Sequence, residues 1–167
     1  MRSKAMTLTG ICTAAAGLAV MSACSAGNAQ PAQPQQAAPS QQVIAGLFDD
    51  WNAALATGDA DKVADLYAPD AVLLPTVSNK VRTDRAAIVD YFRHFLANKP
   101  VGKIEQEVVG VLDADTAVNT GVYRFDLTQN GSPQQVQARY TFVYELRGGK
   151  WLIVNHHSST MPEKKQG

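Results

Sequence analysis

The sequence predicts an α+β fold in which N-terminal helices pack into a strongly curved antiparallel sheet. Apolar residues between positions 43 and 96 recur at helical spacing, whereas those after Pro100 alternate with a period of two. The alternating runs are joined by short turn sequences, which is typical of an antiparallel meander. Helices followed by such a meander belong to the α+β class. Because long strands must bend to wrap around helices, we expect a cone with an open mouth, suited to a small ligand.

The first helix is predicted to begin after Ser40 as N-cap and to end at Gly58. A second, short helix begins at Asp59 or Asp61, extends through Tyr67, and is stopped by Pro69. The third follows Thr83 as N-cap and ends before Pro100. The apolar faces of the first and third helices carry Val43, Ile44, Leu47, Phe48, Trp51 and Leu55, and Ile88, Tyr91, Phe92, Phe95 and Leu96.

Five strands are expected. A short one, AVLLP, lies between the second and third helices, and its residues are Ala71 to Pro75. Four longer ones follow Pro100 and are connected by DAD, TQNGSP and RGGK, which are turn sequences. Their predicted bounds are Lys103 to Leu112, Thr116 to Leu127, Gln135 to Leu146 and Trp151 to Ser158.

The segment before the helices has the composition of an export signal. Residues 1–24 combine a basic start with an apolar run and then the sequence MSAC, which is typical of a secretory signal peptide. MSAC resembles a lipoprotein lipobox, and this implies lipidation of Cys24. Leu is usual where Met21 stands, so cleavage after Ala26 or Ala29 is the alternative. We therefore expect an exported protein of the cell envelope, lipid-anchored or periplasmic, or else a secreted one.

The remaining chain divides into a linker, one domain and a tail. Residues 25–42 are rich in Pro, Gln and Ala and carry no charge, which predicts a linker. Residues 43–162 form the predicted domain, and 163–167 the tail. The 15 basic and 15 acidic residues form no basic stripe, so we expect no nucleic-acid partner, and any membrane contact would be through the lipid anchor alone.

Two stretches carry a family resemblance. WNAALATGDADKVADLYAPDAVLLP, followed by a capped helix and four strands, resembles the nuclear transport factor two-like (cystatin-like, SnoaL-like) superfamily. RYTFVYELRGGKWLIVNHHSSTMPE is similar to the family of the calcium/calmodulin-dependent protein kinase II association domain, particularly its small bacterial SgcJ/EcaC-type members. The resemblance implies a cone-shaped domain that self-associates through its sheet. The chain contains no Gly-rich phosphate loop, HRD or DFG sequence, so we expect no phosphotransfer.

The resemblance also indicates an uncharged pocket. In the kinase relatives three arginines point into the cone, and the corresponding positions here are Tyr123, Phe142 and Ser158. Strand alternation places further residues on the same faces: Asn119, Phe125, Tyr140, Tyr144, Val154 and His156. The predicted pocket, which holds an unknown small molecule and no cofactor, is formed by Tyr123, Tyr140, Phe142, His156, Ser158 and Trp51.

His156 and His157 are the principal candidates for chemistry. Neighbours on a strand project to opposite faces, so they cannot bind one ion together, and the remaining histidine is His94 on a helix. We therefore predict no metal site. His156 is expected in the pocket, as a general base, as a hydrogen-bond donor, or as a core histidine satisfied by the hydroxyl of Tyr123 or Tyr140.

The sequence specifies no reaction and leaves three function classes open, of which the third is a purely structural envelope protein with a filled cone. The first is a self-associating module for binding or assembly. The alternative is a small enzyme of isomerase, cyclase or hydrolase type, in which His156 works with Tyr123 or Asp70 as acid and base. For Asp70 the competing interpretation is a cap at the turn into AVLLP.

Self-association is predicted through the outer face of the last two strands. Arg139, Trp151, Ile153 and His157 are expected on that face, whose apolar content is typical of an interface. A mid-strand Arg needs a counter-charge, so we expect Arg139 to pair with a carboxylate on a neighbouring strand or subunit. The predicted partner is a second copy of the chain, in a homodimer or a higher homo-oligomer.

Overall fold

The computed structural model describes residues 37–76 and 78–163. The predicted signal peptide, Cys24 and most of the predicted linker lie outside the described residues, as do residues 164–167 of the predicted tail. Three helices and five strands are described, and none of these helices is long and apolar enough to cross a membrane. Their bounds are α1 Gln41–Ala56, α2 Ala60–Ala64, β1 Tyr67–Leu74, α3 Arg85–Leu96, β2 Val101–Val111, β3 Thr116–Gln129, β4 Ser132–Arg147 and β5 Lys150–Thr160.

The helices begin at capping side chains close to the predicted ones. The hydroxyl of Ser40 accepts a hydrogen bond from the backbone N–H of Val43 at 3.3 Å, so α1 begins at Gln41, within the predicted linker. Asp59 caps α2 as expected. The cap of α3 is Asp84 instead of the predicted Thr83. The Asp84 carboxylate accepts a hydrogen bond from the backbone N–H of Ala87, three residues later, as capping geometry requires.

The region predicted as the end of the second helix is a strand. α2 ends at Ala64, and Tyr67 begins β1, so the helical assignment of Tyr67 is wrong. The reason is tertiary: the N–H of Ile153 on β5 donates to the carbonyl of Leu66 at 2.9 Å, which draws this segment into the sheet. Pro69 lies in the irregular part of β1, where the pairing register shifts and no ladder donor is needed.

The five strands form one open sheet in the order β1-β5-β4-β3-β2. The predicted antiparallel meander of β2 to β5 is confirmed. β1 instead pairs with β5 in parallel, so the sheet is mixed and the prediction of a wholly antiparallel sheet is wrong at this edge. The chain between β1 and β5 contains α3 and the first three strands of the meander, so it is long enough for the crossover that a parallel pair requires.

A β-bulge in β5 changes which side chains face inward. Val143 pairs with Asn155 and Tyr144 with Ile153, so Val154 is an extra residue on β5. Before the bulge Ile153 faces the core and is 2% exposed. After the bulge His156 faces the core. Strict alternation, which placed Ile153 outside and Val154 inside, therefore does not hold across this point.

The core fills the concave side of the sheet, against α1 and α3. It is rich in aromatic rings that contact one another edge to face or stacked. Trp51 of α1 lies at its centre, with ring centroids 5.4 Å from Phe142 and 6.3 Å from Phe92. The expected α+β cone is thus confirmed.

Candidate ligand site inside the cone

A cavity of about 80 Å³ lies between the concave face of the sheet and helices α1 and α3. Aromatic and aliphatic side chains form most of its wall, and among the described lining residues none carries a charge. One buried water needs roughly 10–15 Å³ by a comparable measure, so the cavity has room for a small molecule or several waters. The aromatic lining residues are Trp51, Tyr91, Phe92, Phe95, Tyr123 and Phe125, and the polar ones are Thr76, Asn98, Gln129, His156 and Ser158.

His156 is held at the wall by a chain of buried hydrogen bonds. The indole N–H of Trp51 donates to the hydroxyl of Tyr67 at 3.1 Å, and that hydroxyl lies 2.8 Å from Nδ1 of His156. The imidazole ring stacks on Phe142 with centroids 4.0 Å apart. Nε2 of His156 is buried and has no hydrogen-bond partner among the described residues.

Burial decides the charge of these groups. It lowers the pKa of His156 to about 3, with a smaller contribution from His157, so the imidazole is neutral at physiological pH. Burial also raises the pKa of Tyr67 well above its ordinary value, so its hydroxyl keeps its proton. The chain of hydrogen bonds from Trp51 through Tyr67 to His156, called the relay below, therefore joins neutral groups.

A second polar group lies on the same wall. The Tyr123 hydroxyl donates to Oγ of Ser158, which also contacts the hydroxyl of Thr76. Burial raises the pKa of Tyr123 to about 12, so it is a phenol and not a phenolate at neutral pH. These hydroxyls can satisfy one another or turn toward a ligand.

Four of the six residues predicted for the pocket line this cavity, namely Trp51, Tyr123, His156 and Ser158. Tyr140 and Phe142 face the same side but lie behind the wall. The hydroxyl of Tyr140 donates to Oδ1 of Asn119 at 2.9 Å, and the ring of Phe142 is covered by His156. Their assignment to the pocket surface is therefore wrong, because alternation fixes the face of a residue but not its depth.

Asp70 does not reach the cavity. Its side chain is exposed on β1 and forms an ion pair with Arg147, whose hydrogen bond lowers the pKa of Asp70. It is neither the predicted acid–base partner of His156 nor a cap, since it lies within the strand. The hydrogen-bond partner of His156 is Tyr67 and not the expected Tyr123 or Tyr140. Because Tyr67 was predicted to be helical, the sequence did not indicate this contact.

Other residues of the site left little trace in the sequence. Thr76 follows β1 and reaches Ser158 only because β1 and β5 are neighbours. Arg82 is buried, with its guanidinium carbon 5.6 Å from the ring centre of Tyr91, which lines the cavity. Neither position lies in a recognisable motif, so only the fold could reveal them.

The outer face of the sheet carries part of the predicted interface. Arg139 and His157 are exposed there and line a shallow depression with Thr120, Val122, Thr141 and Ser159. Arg139 makes no ion pair within residues 37–76 and 78–163, and Glu145 instead pairs with Arg147. Ile153 lies in the core and is 2% exposed, so its assignment to the interface is wrong, whereas Trp151 is partly buried against that core and its assignment to the interface stays a prediction.

The histidines form no metal centre in the part of the chain that is described. No three His, Cys, Asp or Glu side chains are grouped there so that they could hold an ion. His94 lies on the exposed side of α3, and its Nδ1 is 2.8 Å from the carbonyl oxygen of Asp90.

Comparison with known proteins places this geometry in a family. The model of the calcium/calmodulin dependent protein kinase II association domain matches residues 40–162. A crystal structure from Xanthomonas campestris, of a protein assigned to that domain, is 60% identical, with a TM-score of 0.74 over 79% of this chain and 97% of the other. This chain belongs to the calcium/calmodulin dependent protein kinase II association domain family.

More distant structures share the fold of this association-domain protein. The association domain of the kinase from C. elegans is 17% identical, with a TM-score of 0.60 over 72% of this chain and 95% of the other. A nuclear transport factor 2-like protein with a cystatin-like fold from Novosphingobium aromaticivorans is also 17% identical, with a TM-score of 0.62 over 75% and 84%. No curated protein matches the chain significantly.

Proposed function

We propose that this association-domain protein is an exported, self-associating module that binds a small, uncharged ligand in its cone and has no kinase activity. The observation that carries the ligand is the cavity itself, whose described lining residues include many aromatic side chains and no charged one, and where a buried nitrogen of His156 has no partner among the described residues. Concave apolar pockets with a few polar groups are the usual form of small-molecule sites.

The energetics favour occupation of the cavity. A buried polar group without a partner costs about 1–3 kcal/mol, and a ligand that supplies the partner recovers that cost. Apolar ligand surface removed from water contributes about 25 cal/mol per Å². A charged ligand would meet neutral walls and lose its hydration without compensation.

The alternative of a small enzyme rests on His156 as acid or base. That role requires an imidazole that exchanges protons near neutral pH, whereas burial lowers the pKa of His156 to about 3. Its Nδ1 is already engaged by Tyr67, and Asp70 is exposed elsewhere. These contacts favour binding over proton transfer.

Self-association is supported by the family and by the outer face of the sheet. The family is defined by an association domain, and the C. elegans relative carries that name. Arg139 and His157 lie beside hydroxyl and aliphatic side chains on a broad surface. We propose a homodimer or higher homo-oligomer in which this face meets a second copy.

Export is supported by the first 24 residues, whose basic start, apolar run and MSAC sequence fit a lipoprotein signal with Cys24 as the lipidated residue. We place the protein in the cell envelope, with secretion as the alternative.

Native mass spectrometry of the protein purified from its own cell envelope tests the ligand and the assembly together. We expect a mass of at least two subunits and an additional small neutral molecule that is lost on denaturation. A ligand-free monomer would contradict both parts. A ligand-free oligomer would contradict the ligand site alone.

A further inference from the structure

The hydrogen-bond chain at the cavity wall has a definite direction. The indole N–H of Trp51 can only donate, so the Tyr67 hydroxyl accepts at that contact of 3.1 Å. The hydrogen of the Tyr67 hydroxyl is therefore free to be donated, and Nδ1 of His156 lies 2.8 Å from the hydroxyl oxygen. All three side chains are buried, so they are shielded from bulk water.

Two arrangements of the protons are possible on His156, and they differ in what they leave unpaired. If Tyr67 donates to Nδ1, the imidazole proton is on Nε2, and the only unpaired group is Nε2–H. If Nδ1–H donates to Tyr67, both the phenolic hydrogen and the Nε2 lone pair are left without partners in a buried place. The first arrangement leaves fewer unpaired polar groups, and it is therefore the stable one.

The imidazole ring cannot turn to find another partner. Phe142 covers one face at a centroid distance of 4.0 Å, and Trp51 meets the ring at 90° with centroids 5.4 Å apart. Turning the ring would also break the bond to Tyr67. Nε2–H is thus a fixed donor on a residue that lines the cavity, and residues 37–76 and 78–163 supply no partner for it.

We propose that the cavity selects a neutral ligand with a carbonyl oxygen, as in a ketone, ester or amide, which accepts a hydrogen bond from Nε2–H of His156. Trp51 and Tyr67 are positioning residues, since they act by fixing the tautomer of His156. This proposal rests on the proposed ligand site and specifies the chemistry of what occupies it.

The first test needs no ligand. In the full protein with ¹⁵N-labelled histidine, the ¹⁵N chemical shifts at pH 7 are expected to show Nε2 of His156 protonated and Nδ1 unprotonated. The Tyr67→Phe variant removes the donor to Nδ1 and is expected to give a mixture of both tautomers. Tyr144→Phe removes a buried hydroxyl that is not in the relay or the cavity wall, and it should keep the wild-type tautomer. A protonated Nδ1 in the wild type would overturn the proposal.

The second test uses two ligands of nearly the same shape. Cyclohexanone carries a carbonyl where methylenecyclohexane carries a C=CH₂ group, so only the first can accept a hydrogen bond. We expect cyclohexanone to bind about tenfold more tightly, measured by shifts of the His156 and Trp51 ring resonances. In Tyr67→Phe the preference should fall with the population of the Nε2–H tautomer, to about fivefold for an equal mixture, whereas Tyr144→Phe should keep it.

The outcomes separate this inference from the proposed function. Equal affinity of the two compounds for the wild type would overturn the carbonyl preference and leave the ligand site standing. If neither compound shifts a cavity resonance at millimolar concentration, the ligand site fails and the inference fails with it. Should Tyr67→Phe not fold, the wild-type tautomer and the wild-type ligand pair still decide the matter.

Discussion

The hydroxyl of Tyr67 lies 2.8 Å from Nδ1 of His156, although 89 positions separate the two residues along the chain. The parallel pairing of β1 with β5 brings them together, and the same pairing brings Thr76 to Ser158. The polar contacts of His156 and Ser158 thus depend on β1, the edge strand that pairs with the antiparallel meander.

Removal of the Tyr67 hydroxyl should destabilise the domain. Tyr67→Phe leaves both the Trp51 indole N–H and Nδ1 of His156 without partners, so we expect the free energy of unfolding to fall by about 2–4 kcal/mol. Urea denaturation followed by circular dichroism measures it. The matched control is Tyr144→Phe, since the Tyr144 hydroxyl is buried without a partner in the described part of the chain and its loss should be neutral or stabilising. Equal effects of the two substitutions would contradict the relay.

The buried imidazole predicts a pH dependence of stability. The folded pKa of His156, about 3, lies below the unfolded value of about 6.5, so below pH 6.5 the unfolded chain binds a proton that the folded chain does not. The free energy of unfolding should therefore fall as the pH is lowered, by about 1.6 kcal/mol between pH 6.5 and 5. A further change of about 0.4 kcal/mol lies just above pH 6.5, and beyond about pH 7.5 the contribution is constant.

Urea denaturation at several pH values measures that slope. In His156→Gln the slope between pH 6.5 and 5 should be smaller by one proton, because the imidazole is gone. Tyr144→Phe alters the same core without removing an imidazole and should keep the wild-type slope. An unchanged slope in His156→Gln would show that the histidine titrates normally.

Much of the fold could be predicted because its patterns are local. Ser40 and Asp59 are caps readable from a few residues, and the alternation in β3 and β4 correctly placed Tyr123 and Phe142 on the inner side. The bulge at Val154 could not be predicted, because an extra residue in one strand is defined only against the register of its neighbour.

The site was harder to predict than the fold for a related reason. Tyr67 has helical neighbours and a following Pro, and only pairing with β5 makes it part of the sheet. Asp70 was considered for its chemistry, yet it is exposed on β1, where it pairs with Arg147. The type of a residue suggests what chemistry it can perform. Its burial and its contacts determine whether it is in the site, and both depend on the tertiary structure.

Gly121 should tolerate no side chain. A Cβ on it would collide with the carbonyl group of Gln106, 2.8 Å from the carbonyl carbon, where β2 bulges against β3. Because backbone atoms cannot move aside easily, Gly121→Ala should lower the free energy of unfolding by about 1–3 kcal/mol or more. Gly110→Ala is the control in β2, since its Cβ meets nothing within 4 Å, and it should change stability by less than about 0.5 kcal/mol. Thermal unfolding of both variants would settle the comparison, and similar melting temperatures would refute it.

The proposed lipidation of Cys24 predicts a membrane-bound protein whose mature chain begins at that residue. Acyl chains on Cys24 would hold the domain at a membrane surface, so the protein should partition into detergent, with a mature N-terminus at Cys24. Cys24→Ser should shift it to the aqueous phase, whereas Cys12→Ser, at the other cysteine, should not. Mass spectrometry of the mature N-terminus decides between the alternatives, and a chain that begins at Gly27 or Gln30 would show a freely periplasmic or secreted protein.

The outer face of the sheet predicts how copies associate. Arg139 is exposed mid-strand without an ion pair in the described chain, so we expect a carboxylate of a second copy as its partner. Arg139→Glu would turn that attraction into repulsion and should weaken the dimer at least about tenfold, measured by sedimentation velocity. Arg93→Glu makes the same charge change on α3, away from the sheet face, and should leave association unchanged. Because Arg139 is outside the cavity, neither substitution should alter the His156 resonances. A wild-type monomer at micromolar concentration would reject the interface, and equal weakening by both substitutions would show that net charge, not this face, controls association.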